Sequence, residues 1–488
     1  MQNLKTVFFL VCVILQLKSF SQSKRITLDK AIEIAKKKSP DYKINLNNNQ
    51  RNYWRFKNYK ASFLPELRLN ATLPDYSNSI RRITNDLGQD VFVNQNQLLV
   101  EGGLSLSQNL AFSGGTLSVN TNLERIELFG INNNTTYSVI PFTVRYTQNS
   151  LLYNPFRWDK KIEPLAFEES KREFVENMEQ ISVTTSRLYF QLLKAQKQLD
   201  IAKKNLSSQD TLLKITKGRY RVGRIAENDL LQVELTLLNS KNTVTNNTIE
   251  LKRTAQNLAR YLELDSENLR LDIPRTLPLF EVKLEKALKE ARQNRKAVIE
   301  FRRRRLEAEK EVASQKNNRI NIGIQANFGV SNNGDNFNTL FDTYNQQQNV
   351  SLRLGIPIFD WGVSKSRRKI AEANLDLTNN NIKQDRQEFE QEIYLHVLNW
   401  SNQRDFLLTA RKAKEIAIKR HDISKKRYVL GKITITDLNI ALQEKDRAIF
   451  QYLNSLESFW IGYYTLRQLT LFDFINNKKI DLINNAYK

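Results

Sequence analysis

The sequence predicts an α+β membrane protein of two structural repeats. Amphipathic strands supply part of an oligomeric β-barrel, and long helical hairpins extend from one side of it. Three observations carry this reading. Apolar residues recur every three or four positions from Lys160 to Leu264 and again from Val363 to Phe474. A turn motif in the first stretch, Lys217, Arg219, Tyr220, Gly223, Ile225, Asp229 and Leu230, returns 208 residues later as Lys425, Arg427, Tyr428, Gly431, Ile433, Asp437 and Leu438. Runs that alternate apolar with polar residues precede each stretch. Internal repetition governs the whole fold and is read first.

The helices come from the first observation. Met178, Ile181, Thr185, Leu188, Leu192, Ala195, Leu199, Ala202, Leu206, Gln209 and Leu213 follow alternating steps of three and four. The count resumes at Leu230, Val233 and Leu237 and runs to Leu258 and Tyr261. A sustained period of about 3.5 residues signifies helices packed knobs-into-holes. Gly218 and Gly223 are the only glycines between Lys160 and Leu264, so the stretch is an antiparallel hairpin turning within Arg221 to Asn228. Its descending arm, Lys160 to Arg221, would be about 90 Å long at about 1.5 Å per residue. The second hairpin, residues 363–474, turns at Gly431, and its seam carries His396, Trp400, Leu407, Leu438, Ala441 and Phe459. Asp229 and Asp437 stand where each ascending helix begins, and a carboxylate there can cap free backbone N–H groups.

A second correspondence has an offset of 256 residues: Leu28-Asp29-Lys30-Ala31-Ile32 against Leu284-Glu285-Lys286-Ala287-Leu288. Each opens a further helix, ending near Phe63 and Lys316. Period-two alternation follows in both places, at Leu67, Leu69, Ala71, Leu73 and at Ile320, Ile322, Ile324, Ala326, Phe328. The first repeat has extra strand material, Gly103 to Phe112 and Thr116 to Leu128, turning at Ser113-Gly114-Gly115, and a strand from Phe142 to Gln148. Ser77 to Gln97, Gly130 to Thr136 and Ser331 to Gln348 are rich in Asn, Asp, Gly and Gln and are expected as exposed loops. The expected organisation is a signal peptide at 1–21, a first repeat at 22–268 (strands 66–148, hairpin 160–264) and a linker at 269–280. A second repeat at 281–475 (strands 319–358, hairpin 363–474) and a tail at 476–488 complete it.

The N-terminus bears on the compartment. Met1 to Lys5 is basic, Val7 to Leu17 is apolar around Cys12 and Gln16, and Ser19-Phe20-Ser21 offers small residues before a cleavage site. A secretory signal ending at Ser21 is expected; Val11 before Cys12 argues against lipidation. Cleavage would remove the single cysteine together with Lys5 and Lys18, lowering the formal charge from +23 to +21. No later window has about 18 consecutive apolar residues, so spanning a membrane would fall to strands. In hydrocarbon every backbone polar group must be paired, and roughly eight strands is the practical minimum for a bacterial barrel. One chain offers four to six strands, so several copies are needed to close one. Tyr153, Phe156, Trp158, Phe359 and Trp361 cluster at strand ends, as an interfacial aromatic belt requires.

These features resemble the TolC family of outer-membrane efflux and secretion channels. The resemblance rests on the leader, the repeated helix–strand–hairpin order, "FLPEL" at Phe63–Leu67, "IPIFDWG" at Ile356–Gly362 and the paired "RYxxGxxxxxDL" turns. It implies a trimer in the outer membrane of a Gram-negative bacterium, with one 12-stranded barrel continued by a 12-helix periplasmic coiled-coil tunnel. It implies passive conduction of small molecules or proteins, as the exit duct of a tripartite efflux pump or a type I secretion system. The implied partners are a periplasmic adaptor (membrane fusion) protein and an inner-membrane transporter of the RND, ABC or MFS type.

The resemblance also implies site residues. Tyr220, Val222, Gly223 and Arg224, with Leu430, Gly431 and Lys432, fall where the family's hairpin tips meet the adaptor. Asp229 and Tyr428 fill two places of the family's closed gate, and Asp437 matches one member of an acidic ring. The gate arginine's place holds Ile433 and the second ring acid's place holds Ile440.

Other chemistry is not encoded. His396 and His421 are the only histidines, separated by about 37 Å along a helix at about 1.5 Å per residue, so they cannot share a metal. The run Arg302 to Arg305 is expected as a solvated helix face and not as a nucleic-acid site. No nucleophile–base pair, phosphate loop or zinc spacing occurs, so neither an enzyme nor a cofactor is expected. The rival reading is a soluble periplasmic coiled-coil adaptor or scaffold, which would share the heptads and the leader but needs no amphipathic strands.

Overall fold

The structure, a computed structural model, describes residues 25–481 except 131–132, 266–268, 275–276, 279 and 318. The expected signal peptide and the end of the tail lie outside the described residues. In chain order the first half contains β1 (Arg25–Ile26), α1 (Leu28–Lys38), α2 (Pro40–Ala61), β2 (Glu66–Thr84), β3 (Asp90–Leu110), β4 (Gly115–Phe129), β5 (Asn134–Gln148), α3 (Pro155–Arg221) and α4 (Glu227–Leu262). The second half contains β6 (Arg270–Leu271), α5 (Leu284–Asn294), α6 (Lys296–Asn317), β7 (Asn321–Gly334), β8 (Asn345–Gly355), α7 (Val363–Val429), α8 (Ile435–Thr470), β9 (Phe472–Asp473) and β10 (Lys478–Lys479). The repeat is plain in the helix lengths: 11 and 22 residues for both short pairs, 67 and 36 for both hairpins. Two compact units result, one within Gln50–Ser170 and Ala297–Arg386, the other within Met1–Asn49, Lys171–Lys296 and Gln387–Lys488.

The first of these units holds one six-stranded sheet in the order β2-β3-β4-β5-β7-β8, every neighbouring pair antiparallel. Register partners share a face of a sheet, so residues can be sorted by side. Leu67, Leu106, Val119, Val144 and Phe328 form one row across five strands, and Leu117, Tyr146, Ala326 and Val350 form the next. The row on the opposite side reads Arg68, Ser105, Asn120, Thr143, Gly329 and Gln347. The polar side carries its own hydrogen bonds: Ser105 donates to Asn120 at 2.6 Å and Arg145 donates to Asn327 at 2.8 Å. One face is therefore largely apolar from β2 to β8, with Gln348 of β8 ending the first row and Gln108 of β3 entering the second. The extra hairpin is part of the sheet.

The strands depart from expectation in length. β2 and β3 run 19 and 21 residues, through much of the expected loop Ser77–Gln97, leaving a tight turn at residues 85–89. β7 and β8 likewise reach into Ser331–Gln348, and β5 starts inside Gly130–Thr136. The reason is physical. Pairing there is carried by the backbone ladder from Asp75↔Leu99 to Thr84↔Asp90, while both faces are largely polar, so the period-two signal fades. Of the aromatics expected as a belt, Phe359 and Trp361 are 72% and 88% exposed and touch each other at 4.4 Å between ring centroids. Phe156 instead packs edge-on against Phe63 at 5.5 Å. The arginine run lies on α6, and three of its four members are paired within this unit: Arg303 forks onto Glu169 at 2.6 and 3.1 Å, Arg304 reaches Asp385 at 2.6 Å and Arg305 reaches Glu309 at 2.9 Å.

The second unit is helical. The first turns of α3, which belong to the sheet-bearing unit, start earlier than the heptads indicate, with Pro155 where a missing N–H costs nothing and Pro164 within the helix. Tyr189, Phe190, Leu192 and Leu193 are fully buried on α3. The Tyr189 hydroxyl lies 2.9 Å from the Ile26 carbonyl and 2.6 Å from the Asp272 carbonyl, which ties the two-stranded parallel pair β1–β6 to the helices. His396 is packed, its Nε2 at 2.8 Å from the Gly462 carbonyl, and burial holds its pKa below the ordinary value. No helix among the described residues is long and apolar enough to cross a membrane, and no group of metal-ligating side chains occurs among them.

A buried ion network fastens α1, α3 and α8. Glu179 is fully buried, with Lys36 at 2.7 Å and Arg467 at 2.9 Å, and Arg467 also reaches Asp473 at 2.9 Å. Burial alone would raise the Glu179 pKa; the two cations outweigh it and hold the carboxyl below the usual range. Removing one member of a buried pair leaves the others uncompensated, at a cost of about 3–5 kcal/mol. Glu179→Gln is therefore expected to lower unfolding stability by about 3–5 kcal/mol at neutral pH in denaturant titrations. Because the folded pKa is depressed, the contribution is present above the unfolded value and fades as pH falls through the folded one. The gap between variant and parent should accordingly narrow in acid.

Candidate functional site: the two hairpin turns

The turns between α3 and α4 and between α7 and α8 are built the same way. The Arg224 N–H donates to the Arg219 carbonyl at 3.0 Å and the Gly223 N–H to the Tyr220 carbonyl at 2.9 Å. At the second turn Lys432 donates to Arg427 and Gly431 to Tyr428, both at 2.9 Å. This pair of bonds closes a helix end through a residue in the left-handed region, and Gly223 and Gly431 have φ of 69° and 74°. Space does not require glycine, since an added Cβ would meet nothing within 4 Å; the backbone angle does. Val222 and Leu430 are each 69% exposed beside these glycines, and Arg224 and Lys432 are exposed with them.

The helix starts differ. At the second turn Thr434 is the N-cap: its hydroxyl accepts from the Asp437 N–H at 3.2 Å, and its own N–H donates to the Asp437 carboxylate at 3.0 Å. The Thr434 hydroxyl and N–H hold the Asp437 pKa below its ordinary value. At the first turn Ala226 stands in Thr434's place and supplies no cap, so the reciprocal box is missing although Asp229 matches Asp437. The expected capping by Asp229 is thus corrected by the absence of a hydroxyl three residues before it.

Tyr428 is held from α3. It is 5% exposed and packs with Leu212, Val233, Ile435 and Leu438, with Leu213 and Ile433 alongside. Its hydroxyl shares a hydrogen bond with the Thr216 hydroxyl at 3.3 Å. Among the described residues no side-chain hydrogen bond joins Tyr428 to Asp229. The physical reason is that Tyr428 fills the seam between the two hairpins and faces α3. Ile433, in the gate arginine's place, adds apolar surface to that seam.

Arg219 is the residue that the sequence reading placed in the repeat without a role. It donates to the Val429 carbonyl at 2.7 Å and the Tyr428 carbonyl at 3.3 Å, and its guanidinium lies 5.4 Å from the Tyr428 ring centre. It therefore satisfies the orphan carbonyls at the end of α7, where a cation also suits the helix dipole. Nothing local signals a contact made some 210 positions along the chain; only the recurrence of the arginine as Arg427 hints at a task. Tyr220 and Asp229 stay at the periphery, Tyr220 41% exposed.

The comparisons agree with this architecture. Residues 287–470 match the outer membrane efflux protein family. A search of curated protein sequences gave no match. Among solved structures, the chain is similar to the CmeC outer membrane channel of Campylobacter jejuni, with TM-score 0.65 and 16% identity over 91% of this chain and 85% of that one. It is also similar to the outer membrane protein VceC of Vibrio cholerae, with TM-score 0.62 and 14% identity over 93% and 96%. The open-state MtrE outer membrane channel of Neisseria gonorrhoeae gives TM-score 0.61 and 14% identity over 93% and 90%.

The differing helix starts make a direct test. Losing an N-cap hydroxyl costs about 1 kcal/mol. Thr434→Ala should speed amide hydrogen exchange in the first turn of α8 by about fivefold, as a loss of about 1 kcal/mol implies. Ala226→Thr should slow exchange at the start of α4, because it restores the box with Asp229. Residues 287–470 thus carry a match to the outer membrane efflux protein family, and the chain as a whole has the fold of the solved outer-membrane channels it resembles.

Proposed function

We propose that three copies of the chain form an outer-membrane channel that serves as the exit duct of a tripartite efflux pump or a type I secretion system. The observation that carries this reading is the sheet. It has one largely apolar face, and among the described residues its outer strands β2 and β8 are unpaired on their far sides. The apolar residues Ile322 to Val330 cover about 26 Å of strand at about 3.3 Å per residue, close to the lipid band of an outer-membrane barrel. A soluble coiled-coil adaptor has no use for such a face.

The closure has a definite geometry. Six is even, so β8 of one copy runs antiparallel to β2 of the next, and the alternation continues around a ring. Three copies then supply 18 strands, where the resemblance implied 12. Barrels of 16 to 18 strands leave an aqueous channel, and the polar side with Arg68, Arg145 and Asn327 would line it. Conduction is passive, and no residue is asked to do covalent chemistry.

The turns take the roles that the resemblance gives them. Val222-Gly223-Arg224 and Leu430-Gly431-Lys432 present an exposed apolar residue and a base to the hairpins of a periplasmic adaptor, which couples the duct to an inner-membrane transporter. Asp229, Tyr428 and Asp437 belong to the gate at that end, with Tyr428 acting through Thr216 and Arg219. Export would be directed by residues 1–21, leaving the strands in the outer membrane and the helices in the periplasm.

Fractionation and electrophoresis test this. The protein is expected in the outer membrane, resistant to carbonate extraction, as a trimer in unheated detergent samples that collapses to a monomer on boiling. Release by salt or carbonate as a monomer would overturn the reading in favour of a soluble scaffold.

A further inference from the structure

The turn between β3 and β4 carries an apolar finger at the end of the sheet where the helices begin. Phe112 is 86% exposed, yet its backbone is held in place. The Asn154 side-chain amide donates to the Ala111 carbonyl at 3.0 Å and to the Phe112 carbonyl at 3.4 Å. The Asn154 Oδ1 accepts from the Arg157 N–H at 3.1 Å, so one side chain fixes both the turn and the start of α3.

Beside the finger, α3 presents Arg157, Lys160 and Lys161, all exposed. None of these three side chains has a carboxylate partner among the described residues. The acids nearest in the chain are committed elsewhere: Asp159 pairs with Lys310 at 2.6 Å and Glu163 with Arg55 at 3.2 Å. Lys161 instead lies 5.2 Å from the centre of the Trp158 ring. The three cations border one open groove of about 1050 Å³ together with Phe63, Leu110 and Phe112.

We propose that this groove binds an anionic glycerophospholipid, with its phosphate at Arg157, Lys160 and Lys161 and its acyl chains against Phe112 and Leu110. This rests on the channel reading above. The two halves of the groove ask for different chemistry. Three cations without counterions ask for an anion, and a phenyl ring fixed in the open asks for hydrocarbon. An amphiphile meets both. A free phosphate would leave Phe112 in water, and a neutral lipid would leave the charges unmatched. Position selects the source. Leu110 lies on the same face of β3 as Leu104 and Leu106, so acyl chains would continue onto the apolar side of the sheet. The helical end of the sheet is, on the channel reading, the leaflet that faces the periplasm. Trp158 beside Lys161 suits that depth, since indole rings favour the headgroup level.

Native mass spectrometry of the full-length trimer in neutral detergent, with phosphatidylglycerol added, tests this. Each cation beside an anionic lipid is worth about fivefold in binding. A variant with Arg157→Gln, Lys160→Gln and Lys161→Gln should therefore bind phosphatidylglycerol about a hundredfold more weakly, and Phe112→Ser should also weaken it. Exchanging charge for charge, with Arg157→Lys, Lys160→Arg and Lys161→Arg, should keep binding. A control that removes three exposed lysines from the helical unit, Lys203→Gln, Lys204→Gln and Lys252→Gln, should bind as the parent does. Diacylglycerol, which lacks the phosphate, should not bind. Full binding by the triple-glutamine variant, an equal loss in the control, or displacement of the lipid by inorganic phosphate would overturn the proposal. A heat-modifiable trimer in those cases would leave the channel reading standing; a missing trimer in the unmutated protein would remove both.

Discussion

A β-sheet in hydrocarbon cannot keep an open edge, because each unpaired N–H or C=O there costs several kcal/mol. Among the described residues the six-stranded sheet has two open edges, at β2 and β8, and a largely apolar face that would meet lipid on the proposed reading. The rest of the molecule follows from that constraint. On the proposed reading the sheet closes with copies of itself, and that closure is circular. The internal repeat makes the two hairpins alike, with helices of 67 and 36 residues in each.

Closure also explains where polarity falls. The face with Leu67, Leu106, Val119, Val144 and Phe328 needs no hydrogen-bond partners. The opposite face satisfies its polar groups across strands, as Thr72 does by donating to Glu101 at 2.9 Å. Rigid fastening sits elsewhere, in the buried Glu179 network, so the tips can depend on weaker, more exposed contacts. A duct needs that division: a permanently closed wall and an end that can part.

Much of this was legible in the sequence because its signals are local. Heptads need only the residue three or four positions away, and they located both hairpins; the glycine of each turn is dictated by its own φ. The beginnings of β2 and β7 were legible for the same reason. Their continuations were not, since a polar ladder such as Asn78↔Asn96 or Ser79↔Gln95 has no hydrophobic period to read. At the tips, the positions were legible but the partners were not. Tyr428 bonds Thr216, more than two hundred residues away, and Arg219 reaches past it to the end of α7. The missing cap at α4 is an exception in kind: comparing Ala226 with Thr434 would have found it.

The central claim is that the extra hairpin β3–β4 belongs to the wall, so that three chains close one barrel of 18 strands. Electron cryomicroscopy of the purified protein in lipid nanodiscs tests it most directly. The account predicts a three-fold particle whose membrane section is a single ring of 18 strands, with β2 of each copy paired to β8 of the next. A ring of 12 strands with β3 and β4 lying outside it, or a monomeric particle, would contradict it.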